Sequence, residues 1–201
     1  TKALKIKNLS WQKSYEIYFQ KGITQALFFK LKDAMSSFDM AIRINPEFAE
    51  AYYNRSIVKG QLGDYLGELR DINKTLELKP DDADAYNSRG ILKSVMGDYL
   101  GAINDYNRAI KINPYSSSYY YNKAIILFDL NEFYQSVESF DQTIKLNKDA
   151  ESYNRRGNAK FKLNDLRGAF DDFTHAIKID STFYISYLNR GIIKFELKDY
   201  Y

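Results

Sequence analysis

Cysteine is absent from this chain of 201 residues, which excludes a disulfide framework, a thiolate nucleophile and a cysteine zinc site. Histidine occurs once, at His175, and that removes most imidazole-based metal and triad chemistry. An excess of one charge is lacking too. The 29 Lys and Arg face 26 Asp and Glu, and a net +3 is too small for polyanion binding through counterion release. No apolar run approaches the roughly 18 residues of a membrane span, and there is no glycine-rich phosphate loop or acid cluster with metal spacing. The expectation is a protein without catalytic residues, cofactor, metal, nucleic-acid partner or membrane span. With 45% apolar and 16% aromatic residues, the chain can still bury a sizeable core.

Proline is scarce, and its placement is the first positive signal. The three prolines, Pro46, Pro80 and Pro114, stand 34 residues apart. An aromatic column of Tyr18, Tyr52, Tyr86, Tyr120, Tyr153 and Tyr187 keeps the same step, with one shortening to 33. Four positions after each tyrosine comes a small residue: Gly22, Ser56, Gly90, Ala124, Gly157 and Gly191. Self-similarity at this period marks a stacked repeat. The missing residue falls around 147–150, where proline is also absent, so that inter-repeat turn is expected to be shorter.

Each period reads as two helices. In 83–116, Ala85, Tyr86, Gly90, Ile91 and Val95 follow helical spacing. Gly97-Asp98 supplies a left-handed stop and an N-cap for the restart. Tyr99, Ala102, Ile103, Tyr106, Ala109 and Ile110 then form one broad face, and Pro114 ends the second helix. A mid-helix glycine costs about 1 kcal/mol against alanine, so its recurrence points to close approach of two helices.

The set Tyr86, Gly90, Ala102, Tyr106, Ala109 and Pro114 recurs as Tyr18, Gly22, Ala34, Phe38, Ala41 and Pro46. It recurs again as Tyr153, Gly157, Ala169, Phe173 and Ala176, with Ser181 in place of proline. In this pattern the chain resembles the tetratricopeptide repeat family over nearly its whole length. The resemblance implies an all-α, right-handed superhelical solenoid of antiparallel helix pairs with a concave groove. Its units would be 15–48, 49–82, 83–116, 117–149 and 150–183, with a partial sixth at 184–201. Residues 1–14 read as an N-terminal segment left from a preceding helix. Glu68 and Ser136 depart from an expected alanine; Glu68 either loosens its hairpin or its carboxylate reaches a cation.

The resemblance also implies a non-enzymatic protein–protein interaction scaffold, with the first helix of each unit lining the groove. The candidate groove residues are Tyr53, Asn54, Ile57, Asn87, Ser88 and Ile91, followed by Tyr121, Asn122, Ile125 and Phe128. Asn154, Arg155, Asn158, Phe161, Asn189 and Ile192 continue the series. Amides both donate and accept, as an extended peptide backbone requires, while the aromatic and aliphatic residues offer apolar contact. The family's carboxylate clamp is not matched, since Phe19, Ile23, Asp84 and Ser88 stand where its other ligands would be and only Asn54 agrees. Glu16, Glu50, Asp84 and Glu151 form an acidic column at the rim. The expected partner is a protein or peptide with apolar anchors and some basic character, the alternative being an ordinary solvated acidic face.

Arg55, Arg89 and Arg156 occur in units that carry Asp71, Asp105 and Asp172, and an interhelical brace is expected there, with a phosphate-binding row as its rival. Where Lys21 and Lys123 replace arginine, Ser37 and Ser139 replace the aspartate. Lys59, Lys93, Lys160 and Lys194 are expected to cover apolar surface with their stems while the amines reach solvent. Trp11 is expected to cover the first helix pair, and His175 to lie on the outer surface. Terminal repeats need a polar outer face, yet Ile192, Ile193, Phe195 and Leu197 are apolar. Further residues of a longer protein, or a homodimer through the partial sixth repeat, are expected to meet them. Structural self-assembly and the non-catalytic repeat region of a larger enzyme or secretion component are the alternative functions. A cytoplasmic location is the default expectation; a processed exported protein, suggested by the absence of an initial Met, is the other.

Overall fold

A computed structural model describes residues 2–197, with side chains from Ser14 onward. Among the described residues all regular structure is helical. Five helices come first: α1 (Lys2–Leu27), α2 (Leu31–Ile44), α3 (Ala49–Gln61), α4 (Tyr65–Leu78) and α5 (Ala83–Val95). Then follow α6 (Tyr99–Ile112), α7 (Ser117–Asp129), α8 (Phe133–Leu146), α9 (Ala150–Lys162), α10 (Leu166–Ile179) and α11 (Tyr184–Glu196). Short links fold α1 on α2, α3 on α4, α7 on α8 and α9 on α10. Successive hairpins then pack through α2 on α3, α6 on α7, α8 on α9 and α10 on α11. The helices gather into two compact units, 1–92 and 93–201, whose boundary falls inside α5. α1 runs unbroken through the segment expected to precede the first repeat, since no proline or glycine interrupts residues 2–21. The side chain of Trp11, and Asp199 and Tyr200, lie outside the described residues.

The hairpin turns follow the expected chemistry. Gly63 and Gly97 adopt φ of 80° and 83°, the left-handed conformation that ends a helix. Phe29, Asn131 and Asn164 hold the same position in the other hairpins at φ of 57°, 62° and 63°. Asp64, Asp98 and Asp165 then cap the second helix by accepting from the amides of Gly67, Gly101 and Gly168 at 2.8–2.9 Å. The shortened turn at 147–149 uses a cap instead of a proline: Asp149 accepts from both the amide and the hydroxyl of Ser152, each at 2.8 Å.

Glycine in the first helix meets an aromatic ring of the second. Gly22 lies against Phe38 and Gly157 against Phe173, rings that are 1% exposed. The two departures from alanine resolve differently. Ser136 is fully buried and donates to the Ala124 carbonyl at 2.9 Å, so its hydroxyl is satisfied. Glu68 lies over Gly60, whose missing side chain makes room for the carboxylate, and burial raises its pKa. No ion pair to Glu68 occurs among the described residues, so the carboxylate does not reach a cation there, while α3 and α4 still pack on each other. An acid with a raised folded pKa weakens the fold once ionised. Glu68→Ala is therefore expected to stabilise the protein by roughly 0.5–1 kcal/mol at pH 7. The gain should fade as pH falls below about 4.3, where the carboxyl is protonated in both states. Urea unfolding at pH 7 and pH 4 checks this, and an equal gain at both would contradict it.

Candidate functional site

In the 1–92 unit the candidate residues stand on α3 and α5. Ile57 and Ile91 are each 42% exposed, which leaves apolar surface on both helices. Tyr53 bridges the two: its hydroxyl lies 2.9 Å from the Ser88 hydroxyl. Burial pushes the Tyr53 phenol up, against a smaller lowering from that hydrogen bond. Asn54 turns its amide back along α3 and donates to the Glu50 carbonyl at 2.8 Å, keeping its side-chain oxygen for other contacts. Asn87 is half-buried beside Ser88.

In the 93–201 unit the structure brings several candidates together. Ile125 and Phe128 of α7 and Arg155 and Asn158 of α9 line one small cavity of about 30 Å³, closed by Asp129 and Phe140. Its wall joins the apolar Ile125, Phe128 and Phe140 to the polar Asp129, Arg155 and Asn158, suited to an apolar group attached to a hydrogen-bonding backbone. Tyr121 stands next to it with its ring 5.9 Å from Phe140, edge to face. Arg155 donates to Glu151 at 2.5 Å. Burial pulls its guanidinium down, yet Glu151 and Tyr121 hold it above its ordinary value. Asn122 is half-buried on α7.

Three other candidate amides contact one another. Asn189 of α11 donates to the side-chain oxygens of Asn154 at 3.0 Å and Asn158 at 3.2 Å. Asn154 is only 4% exposed and also accepts from Ser186 at 3.0 Å. This network ties α11 to α9, and it leaves Asn158 as the member that also reaches the cavity. Ile192 is 42% exposed on α11.

The acidic rim is partly neutralised from within. Glu50 pairs with Lys79 and Glu151 with Arg155. Burial raises the Glu50 pKa, but the hydrogen bond and charge of Lys79, with a backbone hydrogen bond, together bring it below its ordinary value. Two of the expected braces, those of Arg55 and Arg156, are seen, and Arg89 donates to Asn73 of the preceding helix at 2.8 Å. Arg55 grips Asp71 through Nε and Nη2, both at 2.7 Å, and reaches Asp39 of the preceding hairpin at 2.6 Å. Arg156 grips Asp172 at 2.9 and 2.6 Å and reaches Asp141 at 2.6 Å. These arginines are thus held by carboxylates, and a phosphate row is not needed to explain them. At three of its four positions the lysine column corrects the sequence expectation, the amines turning inward. Lys59, Lys93 and Lys160 contact Asp71, Asp105 and Asp172 at 2.7, 2.8 and 2.9 Å, because carboxylates 4%, 1% and 2% exposed need cationic partners. In the fourth hairpin, one of the two without the aspartate, Lys123 is half-buried and its pKa is lowered by desolvation, with Glu138 opposing. His175 is exposed and stacks on Tyr153, ring centres 5.2 Å apart.

Phe140 and Asp129 were not foreseen as cavity residues. Phe140 reads in the sequence as a core aromatic, which it also is, at 0% exposure. Among the described residues no group of three or more His, Asp or Glu could hold a metal, and no helix is long and apolar enough to cross a membrane.

Comparison with known proteins agrees with this geometry. Tetratricopeptide repeat models match residues 83–116, 117–149 and 150–183. PilF of Pseudomonas aeruginosa superposes with a TM-score of 0.81 at 16% identity, over 94% of this chain and 87% of that one. MamA superposes at 0.77 with 18% identity, over 85% and 93% of the two chains. YrrB, a tetratricopeptide repeat protein with an unusual peptide-binding site, superposes at 0.75 with 15% identity, over 90% and 97%. By sequence, no curated protein matches significantly.

Proposed function

Given that this chain belongs to the tetratricopeptide repeat family, we propose that it is an interaction scaffold that holds an extended segment of another protein against its first helices. Family membership supports the scaffold role. The observation that carries the finer reading is the cavity between α7 and α9, where Ile125 and Phe128 face Arg155 and Asn158. A side chain of the bound segment enters that cavity, while Asn122, Asn158 and Arg155 hydrogen-bond its backbone. The peptide-binding site of YrrB, on the same fold, lends this reading support by analogy.

Glu50 and Glu151 already have cationic partners, so apolar anchoring dominates recognition and basic residues in the partner add mainly to encounter. The competing reading, self-assembly, draws on the exposed apolar residues of α11 and predicts a concentration-dependent mass.

A peptide selected from a displayed library against the full chain tests the proposal. Asn122→Ala with Arg155→Ala is expected to weaken that peptide by about tenfold or more, with the helical circular dichroism unchanged. Selected peptides indifferent to both substitutions would overturn the proposed site.

A further inference from the structure

The fourth hairpin, α7 with α8, differs from its neighbours at one charged position. In the second and fifth hairpins the arginine of that column is locked in place. Arg55 and Arg156 lie over the rings of Tyr52 and Tyr153, at 5.4 and 5.3 Å, and are clasped by Asp71 and Asp172. In the fourth, Lys123 takes the arginine column beside Tyr120, and Ser139 takes the aspartate column. The Ser139 hydroxyl donates to the Gln135 carbonyl at 2.9 Å, and Asp141 is held by Arg156 at 2.6 Å. Lys123 is thus left without an ion pair among the described residues. The half-buried Lys59, Lys74, Lys93 and Lys160, by contrast, each touch a carboxylate at 2.7–2.9 Å.

In place of the brace there is a cavity of about 380 Å³, lined by Tyr120, Lys123, Glu138, Ser139, Asp141 and Gln142. Glu138, Asp141 and Gln142 are exposed, so it opens to solvent. A half-buried ammonium with no counter-charge is costly, and an amine that is not spent on an ion pair is available as a nucleophile. We propose that Lys123 is an acylation site, whose amine takes the acyl group of a small acyl phosphate admitted to this cavity. The neutral Nζ attacks the acyl carbonyl, a C–N bond forms, and the C–O bond to phosphate breaks. Phosphate leaves with the bonding electron pair, and the proton lost from nitrogen passes to water beside Glu138. Nothing is oxidised or reduced. The product exchanges a poorly solvated cation for a neutral amide, with room for the acyl group in the cavity. Burial pulls the amine's pKa down more than Glu138 pushes it up, which enlarges the neutral fraction that reacts. This site shares no residue with the α7–α9 cavity, and the inference goes beyond the peptide-holding reading.

The full chain incubated with acetyl phosphate at mildly alkaline pH, with each lysine followed by peptide mass spectrometry, is the test. Lys123 is expected to be acetylated about threefold or more faster than Lys21, the exposed lysine of the same column. Ser139→Asp restores the carboxylate that the neighbouring hairpins carry, and it should slow Lys123 by about tenfold with the helical circular dichroism unchanged. In urea, where the cavity is gone, the preference for Lys123 should vanish, and this arm does not depend on how the variant folds. Lys123 reacting no faster than Lys21 would overturn the proposal. An undiminished rate in folded Ser139→Asp would do so as well, since the missing carboxylate would not then be what frees the amine. So would a preference that survives in urea, which would belong to the local sequence and not to the cavity.

Discussion

Asp172→Ala is expected to destabilise the 93–201 unit by about 3 kcal/mol, read from the urea midpoint at constant slope. Asp172 is 2% exposed and accepts from Arg156 and Lys160, whose side chains are 16% and 20% exposed. Removing the carboxylate leaves two cations facing each other in a site sheltered from water, with only Asp141 to answer Arg156. Arg156→Lys should be milder, about 1 kcal/mol, because Lys160 still reaches Asp172 while the bidentate geometry is lost. The chain supplies its own control. Its fourth hairpin carries Lys123, Leu127 and Ser139 in the same three columns, with Leu127 4% exposed and Ser139 donating to the Gln135 carbonyl. The triple change Arg156→Lys, Lys160→Leu, Asp172→Ser is expected to recover most of the loss, since it removes the second cation and gives the remaining positions the side chains that the fourth hairpin packs without a buried carboxylate. A triple variant no more stable than Asp172→Ala alone would show that the ion cluster adds stability in its own right.

Gly157→Ala and Gly191→Ala should move stability in opposite directions, although the two glycines occupy one column. At 157 the new methyl would sit 2.7 Å from a Phe173 ring that is itself 1% exposed, so the hairpin must spread. Overpacking of this kind costs about 1–3 kcal/mol. At 191 nothing lies within 4 Å among the described residues, and alanine brings only its better helix propensity, a gain of about 1 kcal/mol. Thermal unfolding of the two variants side by side is the measurement. Equal effects would mean that the glycine column reflects something other than the ring packed against it.

Period, hairpins and turns were legible because they depend on local chemistry repeated in register. Gly97 followed by Asp98 announces a left-handed stop and an N-cap wherever it occurs in a helical chain, and φ of 83° with the Asp98 cap is what forms. The close approach of two helices at the glycine column was legible too, but that an aromatic ring sixteen residues later fills the notch came only from the structure. Glu68 was legible only as a departure. Its two outcomes differ by whether a cation lies within reach, and spacing along one chain does not give distances between helices. The candidate residues were legible as a face but not as a site. Asn54, Asn154 and Asn189 are alike in sequence, yet one bonds back to its own helix, one is buried and one ties α11 to α9.

From its sequence alone this protein was determined to be a run of helical hairpins at a step of 34, closed at the glycine column and capped by aspartate, because each of those features is enforced within a few residues and then repeated. Tertiary structure decided where the long polar side chains end. Lys59 and Lys160 have enough rotamers to reach either solvent or a buried carboxylate, and only packing places Asp71 and Asp172 within 2.7 and 2.9 Å of them. Asp39 and Asp141 join the braces from the preceding hairpin, and Phe140 doubles as core and cavity wall. Those pairings cross between hairpins, where a column can say that residues are equivalent but not which neighbour each of them meets.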